Sequence, residues 1–311
     1  MSEKLLSDKI KASDADNAAL MQQIERTIPP MDIVDAGRLL HEAKLIFDSH
    51  GIVFFLRQGT CLGAVRDQAL IPWDDDLDLG SIIGLHGFSE DDIAPAVESF
   101  RASGCYVEVI PDGLYTSVKI MKYRIRIDWQ CYRIVKGTIA HYPGVPFPVS
   151  LFTKLEEVDF NGGTYSVPSP PEEYLIFKYG PDWVTPKQAG YEKDVLDNMP
   201  SGMVPGRAGR FKQFLAVHFL PNKTARLLVL DGAGNPVSNA KIVVAGMSKT
   251  ITNRRGYAKF YLPGPDEYAL AITSNGIEEV LYEEALAPGQ QYVYRPDPTQ
   301  SAGRYFVLTQ S

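Results

Sequence analysis

Apolar residues along the first two thirds of the chain keep helix and strand periods in successive blocks. From Asp32, the positions Ile33, Ala36, Leu39, Leu40, Ala43, Ile46 and Phe47 fall on one face of a helix. Asp32 offers an N-cap oxygen and Gly51 an end, so a helix is predicted between them. Ile52 to Leu56 is a short apolar run. A turn, a short helix, a loop and a strand are predicted over 57–80. Glu90 to Ser103 reads as an amphipathic helix closed by Gly104, followed by strands over Tyr106–Ile110, Tyr115–Met121 and Arg124–Tyr132. In the last strand Ile125, Ile127 and Trp129 alternate with Arg124, Arg126, Asp128 and Gln130, which puts Asp128 on the face of Arg126 and opposite the apolar side. Residues 1–30 are a polar, partly helical lead-in ending at Pro29-Pro30, and Arg207 to Phe219 reads as a basic, aromatic helix.

The pattern changes near Pro221-Asn222. β-patterned runs follow at short intervals: Arg226–Leu230, Ala240–Ala245, Thr250–Thr252, Tyr257–Leu262, Tyr268–Thr273, Glu279–Tyr282 and Gln291–Tyr294, with Gly, Pro and Asn turns between them. Regularly spaced short strands of this kind predict an antiparallel β-sandwich. Three segments are expected: the lead-in over 1–30, an α+β domain over 31–221 and a small sandwich over 222–311. The full length of 311 residues accommodates them.

Composition narrows the function classes. The net charge of −7 argues against a broad nucleic-acid-binding face. Cys61, Cys105 and Cys131 lack CxxC spacing, which favours reduced thiols over a disulfide framework or a zinc site. The five histidines show no paired ligand spacing. Residues 1–16 hold no apolar signal region, and no apolar run approaches the roughly 18 residues of a transmembrane span. A cytoplasmic protein without a transmembrane segment is expected.

The candidate chemistry lies in 54–80. An apolar run leads into Gly59-Thr60, Arg66 follows, and then Asp74, Asp75, Asp76 and Asp78 crowd into five positions before an apolar strand. Asp76 and Asp78 are two apart, so in a strand both face one way while Leu77 and Leu79 face a core. Adjacent carboxylates repel unless a cation lies between them, and Mg²⁺ favours one or two carboxylates together with substrate phosphates. A Gly-Thr turn before a helix offers backbone N–H groups to phosphate. An acidic run is also what a solvated loop looks like; the order and spacing of the three features favour a metal–phosphate site. Arg66 fits either a phosphate or an ion pair with an acidic neighbour.

The blocks Gly59-Thr60-Cys61-Leu62-Gly63-Ala64-Val65-Arg66 and Ile71-Pro72-Trp73-Asp74-Asp75-Asp76-Leu77-Asp78-Leu79-Gly80 resemble the signature of the LicD/fukutin family. A second stretch, Glu173 to Pro186, is similar to that family's closing segment of an aromatic helix, Tyr-Gly, Trp and Thr-Pro. Cys61 stands where the family usually has Leu, and Asp67 where His or Lys is common. The resemblance implies an α+β nucleotidyltransferase-like catalytic domain. Such domains move a phospho-alcohol, phosphocholine or ribitol phosphate among them, from a CDP-linked donor to a hydroxyl of a glycan or glycolipid, as in cell-surface polysaccharide or lipopolysaccharide synthesis. It further implies Mg²⁺ or Mn²⁺ on Asp76 and Asp78, and phosphate contacts from Gly59 and Thr60. Asp128 is the best-placed third carboxylate, as metal ligand or as base; an exposed strand Asp paired with an Arg is the plain alternative. Lys119 is a candidate for donor phosphate or simply a solvent-facing lysine, and Lys178 and Tyr179 are candidates to line the site. Peripheral association with a glycan-assembly complex is compatible with this reading. The 222–311 segment, with Asp231, Gly234, Pro236-Val237, Ala240, Thr252 and Gly256, looks like carboxypeptidase-regulatory-like, prealbumin-type modules. Two alternatives remain: a nucleotidylyltransferase that leaves the nucleoside monophosphate on a small acceptor, and a non-catalytic glycan-binding or assembly protein.

Overall fold

The computed structural model describes residues 3–197, 221–296, 304–305 and 307–310. The chain divides into two units, 1–140 with 146–184, and 141–145 with 185–311. The helix expected over Arg207–Phe219 lies outside the described residues.

The first unit is mixed α/β. It opens with helices α1 (Glu3–Thr27) and α2 (Ile33–Ser49). Asp32 caps α2 by accepting hydrogen bonds from the N–H groups of Val34 and Asp35, which satisfies two of the donors a helix leaves free at its start. Strand β1 (Phe55–Leu56) leads into the short α3 (Gln58–Leu62) and a π-helical turn over Gly63–Asp67. Then come β2 (Asp76–Ile82), α4 (Ile93–Ala102), β3 (Tyr106–Pro111), β4 (Tyr115–Lys122) and β5 (Ile125–Tyr132). These strands form one sheet in the order β1-β2-β5-β4-β3, in which only β2 and β5 run parallel.

The register divides the sheet into two faces. Leu77, Leu79, Ile127, Trp129, Val118 and Ile120 share one face and are fully buried. There Phe47 of α2 stacks edge-on against Trp129 and Phe100 at 4.7 and 5.3 Å between ring centroids. The other face carries Asp76, Asp78, Arg126, Asp128, Lys119 and Met121. Part of that face is covered by α1, whose Met21 and Ile24 pack on Met121. The expected lead-in is therefore a long helix docked on the sheet by its C-terminal half.

Two hairpins have no counterpart in the sequence reading: β6 (Thr138–His141) with β7 (Val145–Pro148), and β8 (Glu156–Phe160) with β9 (Gly163–Val167). Between them lies α5 (Ser150–Thr153), and α6 (Pro171–Tyr179) follows, with Pro171 at its first turn, where a missing N–H costs nothing.

Among its described residues the second unit holds α7 (Tyr191–Asp197) and nine strands. In chain order they are β10 (Thr224–Val229), β11 (Lys241–Val244), β12 (Ser248–Ile251), β13 (Tyr257–Tyr261), β14 (Asp266–Ser274), β15 (Ile277–Leu286), β16 (Gln291–Tyr294), β17 (Arg304–Tyr305) and β18 (Thr309–Gln310). One sheet is ordered β13-β10-β16-β18 and the other β12-β11-β14-β15-β17. Leu227, Val229, Phe260 and Tyr294 of the first sheet and Ile242, Val244, Leu270, Ile272 and Leu281 of the second belong to one apolar cluster. The purely antiparallel expectation is corrected: β10 pairs with β16, and β15 with β17, in parallel. A strand can join its sheet this way only when the chain crosses over between the two ends before returning.

Candidate active site

Strand β2 is buried along its whole length, so its two carboxylates must be satisfied within the protein. Parallel pairing sets Asp76 beside Arg126 and Asp78 beside Asp128. Arg126 Nη2 lies 2.5 Å from Asp76 Oδ2 and 3.3 Å from Asp75 Oδ2, and its Nε lies 3.5 Å from Asp128 Oδ1. Asp78 Oδ1 meets Arg57 Nη2 at 2.8 Å and accepts from Gln58 Nε2 at 3.0 Å. Arg57 is only 2% exposed. Its Nε donates to the Leu79 carbonyl and its Nη2 to the Asp128 carbonyl, so one side chain ties the start of α3 to β2 and β5.

The acidic turn brings further oxygens in. Carboxylate oxygens of Asp74, Asp75 and Asp76 lie within 4.8 Å of one another. Burial pushes the Asp74 carboxyl well above the usual carboxylate range, and the charges of Asp75 and Asp78 push the same way. Burial likewise raises Asp76 well above that range against the pull of Arg126, and raises Asp78 against the pull of Arg57. The buried Lys178 of α6 also draws Asp78 downward. Two buried oxygens, Asp74 Oδ2 and Asp128 Oδ1, have no hydrogen-bond partner. A cluster of hard oxygens, short of donors and held in a state that resists ionisation, fits a divalent cation such as Mg²⁺ or Mn²⁺. The converging oxygens are those of Asp74, Asp75 and Asp76; Asp78 is outside that group and is held by Arg57 and Gln58.

Asp76, Asp78 and Asp128 lie on one sheet face. Gly59 lies against the acidic turn: a Cβ there would stand 2.3 Å from Asp74 Oδ2, so only glycine lets α3 and the turn approach this closely. Thr60 is buried, and its hydroxyl accepts the Asp78 N–H at 2.8 Å. Its observed contact is with the protein's own backbone and fixes β2 at the carboxylate. Arg66 forks onto its neighbour Asp67, at 2.8 Å through Nε and 2.6 Å through Nη2, which is the ion-pair alternative foreseen for it. Lys119 stands opposite Asp128 in the sheet register, yet its Nζ pairs with Glu25 Oε1 at 2.6 Å.

Sequence reasoning missed Arg57, Gln58 and Glu25. An arginine directly after an apolar strand is a signal, since a charge carried into a core needs a counter-charge there. Gln58 shows nothing in sequence; it takes a left-handed φ of 42°, and its N–H donates to the Tyr174 hydroxyl of α6 at 2.9 Å.

Thr60→Val tests the hydroxyl. It leaves the Asp78 N–H without its acceptor inside the protein, so the thermal midpoint should fall by an amount equivalent to about 1–3 kcal/mol. If donor KM rises instead while stability stays at the wild-type value, Thr60 contacts substrate and the structural role assigned here is wrong.

Comparison with known proteins bears on the same segment. A protein-family model described as LicD/FKTN/FKRP, nucleotidyltransferase domain, matches residues 51–170. Ribitol 5-phosphate transferase FKRP of Homo sapiens is 27% identical over 165 residues, covering 50% of this chain and 33% of the human protein. An uncharacterized protein of Rickettsia prowazekii (strain Madrid E) is 42% identical over 43 residues, which is 14% of this chain and 16% of that protein. The chain thus spans a third or less of the length of these relatives. Among solved structures, ANT(2")-Ia in complex with adenylyl-2"-tobramycin gives a TM-score of 0.32 at 13% identity, over 46% of this chain and 73% of that one, a likeness too slight to bear on the fold. No helix among the described residues is long and apolar enough to cross a membrane.

Proposed function

We propose that this chain, whose residues 51–170 match the LicD/FKTN/FKRP nucleotidyltransferase domain, is a metal-dependent phosphotransferase moving a phospho-alcohol from a CDP-linked donor to a glycan hydroxyl. The observation that carries the reading is the set of carboxylates Asp76, Asp78 and Asp128 on one sheet face, with no hydrogen-bond partner for Asp74 Oδ2 or Asp128 Oδ1. The transferred unit is phosphocholine, ribitol phosphate or a close relative, and the acceptor is a glycan or glycolipid of the cell surface.

Asp76 and Asp78 would hold Mg²⁺ or Mn²⁺, which would supply charge neutralisation on the donor pyrophosphate. Arg57 and Gln58 keep Asp78 in place from one side, and Arg126 keeps Asp76 from the other. Gly59 allows the acidic turn to close on α3, and the backbone there is the candidate seat for donor phosphate. Asp128, whose Oδ1 lacks a hydrogen bond, accepts the proton of the attacking hydroxyl. We assign catalysis to residues 31–221 and an accessory β-sandwich to 222–311, and we place the protein in the cytoplasm, peripheral to glycan assembly.

The direct test offers CDP-choline, CDP-ribitol and CDP-glycerol with Mg²⁺ and a glycan acceptor, reading CMP release and product mass. A product carrying the phospho-alcohol supports the proposal. A product carrying the nucleoside monophosphate makes the protein a nucleotidylyltransferase, and no turnover of any donor with or without metal removes the enzymatic reading.

Asp128→Asn follows from the role given to that residue. Loss of a general base lowers kcat by roughly 10²–10⁴-fold, with donor KM and the Mg²⁺ dependence unchanged. A parallel loss of Mg²⁺ affinity would make Asp128 a ligand. Near wild-type turnover would remove it from the chemistry and leave only its pairing with Arg126.

A further inference from the structure

The helix that precedes the matched segment reaches the carboxylate cluster. Glu25, near the end of α1, accepts from Lys119 Nζ at 2.6 Å and lies 3.6 Å from Arg126 Nη1. Its neighbours Met21 and Ile24 are buried against Met121, with Leu20 and Tyr106 at the margin. Apolar contacts therefore dock the helix on this face independently of the ion pairs. A few residues on, the Met31 N–H donates to the Asp74 carbonyl at 2.8 Å. Arg126 has a carboxylate at each of its three nitrogens: Glu25 at Nη1, Asp75 and Asp76 at Nη2, and Asp128 at Nε.

A guanidinium bound to Asp76 competes with any divalent cation for that carboxylate. When a cation arrives, like-charge repulsion disfavours the Arg126–Asp76 contact. Glu25 is then an acceptor already in reach at Nη1 and outside the aspartate turn, and it also pairs with Lys119, which stands opposite Asp128 in the sheet register. We propose that Glu25 is a positioning residue that holds Arg126 and Lys119 off the aspartates and so sets the affinity of the cluster for its divalent cation. The inference rests on the metal reading given above. It assigns a part in the site to a helix that lies outside residues 51–170.

The test is Mn²⁺ binding to the full chain without donor, followed by the electron paramagnetic resonance signal of free Mn²⁺, alongside thermal melting. Glu25→Gln keeps the shape of the side chain and the apolar contacts of α1. It should raise the Mn²⁺ Kd about tenfold, a coupling typical of charges in one network, without lowering the melting midpoint. Glu25→Asp, which keeps the charge, should restore most of the affinity. Arg126→Met removes the competitor, and in that background Glu25→Gln should change Kd by less than about twofold. Met21→Ala, which loosens the helix without altering charge, should leave Kd at the wild-type value.

A wild-type Kd in Glu25→Gln overturns the proposal. So does an equal loss in the Arg126→Met background, and so does a Met21→Ala variant as weak as Glu25→Gln. Asp78→Asn in the same assay separates the two levels of the argument. If it loses Mn²⁺ while Glu25→Gln does not, only the role of Glu25 falls. If wild type fails to bind Mn²⁺, or Asp78→Asn binds it normally, the metal reading falls and this inference with it.

Discussion

Asp76→Asn abolishes turnover and leaves the fold as stable as before, or more so. A carboxamide lacks the charge that holds Mg²⁺, and a metal's share of transition-state stabilisation is several kcal/mol, so the loss is on the order of 10³-fold or greater. The stability sign follows from burial, which holds the Asp76 carboxyl well above the usual carboxylate range. A carboxyl raised on folding costs nothing below its unfolded pKa, where both states are protonated; the cost grows as pH rises above that value and is complete once the folded pKa is passed. Removing the charge removes that cost at neutral pH, and Arg126 retains Asp75, Asp128 and Glu25 within 3.6 Å. A bound cation relieves the same cost, so Mg²⁺ should raise the melting midpoint of wild type, by the equivalent of about 2.7 kcal/mol at a hundredfold excess over Kd. It should do so far less in Asp76→Asn. Donor turnover and melting with and without Mg²⁺ or EDTA check both parts. Full activity in chelator, or in Asp76→Asn, would sink the metal assignment.

Arg57→Met should be the most damaging single change to the first unit. Arg57 is buried, pairs with Asp78 and donates to the carbonyls of Leu79 and Asp128. Methionine fills the space but leaves a buried carboxylate without its partner, a loss of about 3–5 kcal/mol. For a unit of this size the midpoint should fall by on the order of 10 °C. Arg57→Lys keeps the charge without the planar fork and should lie between wild type and Arg57→Met. Denaturant and thermal melts of the three proteins measure it. A midpoint for Arg57→Met within about 2 °C of wild type, well short of the predicted loss, would show that Asp78 is satisfied by other means.

Much of the first unit was legible because its local patterns agree with its packing. The period-two alternation of Ile125, Ile127 and Trp129 placed Asp128 on the polar face, and the register bears this out. The helix from Asp32 was readable from its cap and its stripe. The hairpins over 138–148 and 156–167 were not, because their strands are four or five residues long and one strand of each carries proline or charge within the run. The parallel pairing of β10 with β16 was invisible for a different reason. Strand direction is set by the route between elements, and alternation along one strand holds no trace of it. At the site, spacing alone brought Asp76 and Asp78 together. The partners Arg57, Gln58 and Glu25 escaped because their roles depend on contacts between residues 20 to about 100 positions apart.

The Met31 N–H that meets the Asp74 carbonyl has a practical consequence for anyone trimming the gene. A fragment cut to residues 51–170 would retain all five aspartates of the cluster. It would lose that hydrogen bond, Glu25, and Phe47, whose removal uncovers the buried Trp129 on the opposite face. It would also lose the Tyr174 hydroxyl that accepts the Gln58 N–H. The shortest stretch recognisable as the domain is thus shorter than the stretch that can stand alone, and a soluble fragment should begin ahead of α1 and extend beyond α6.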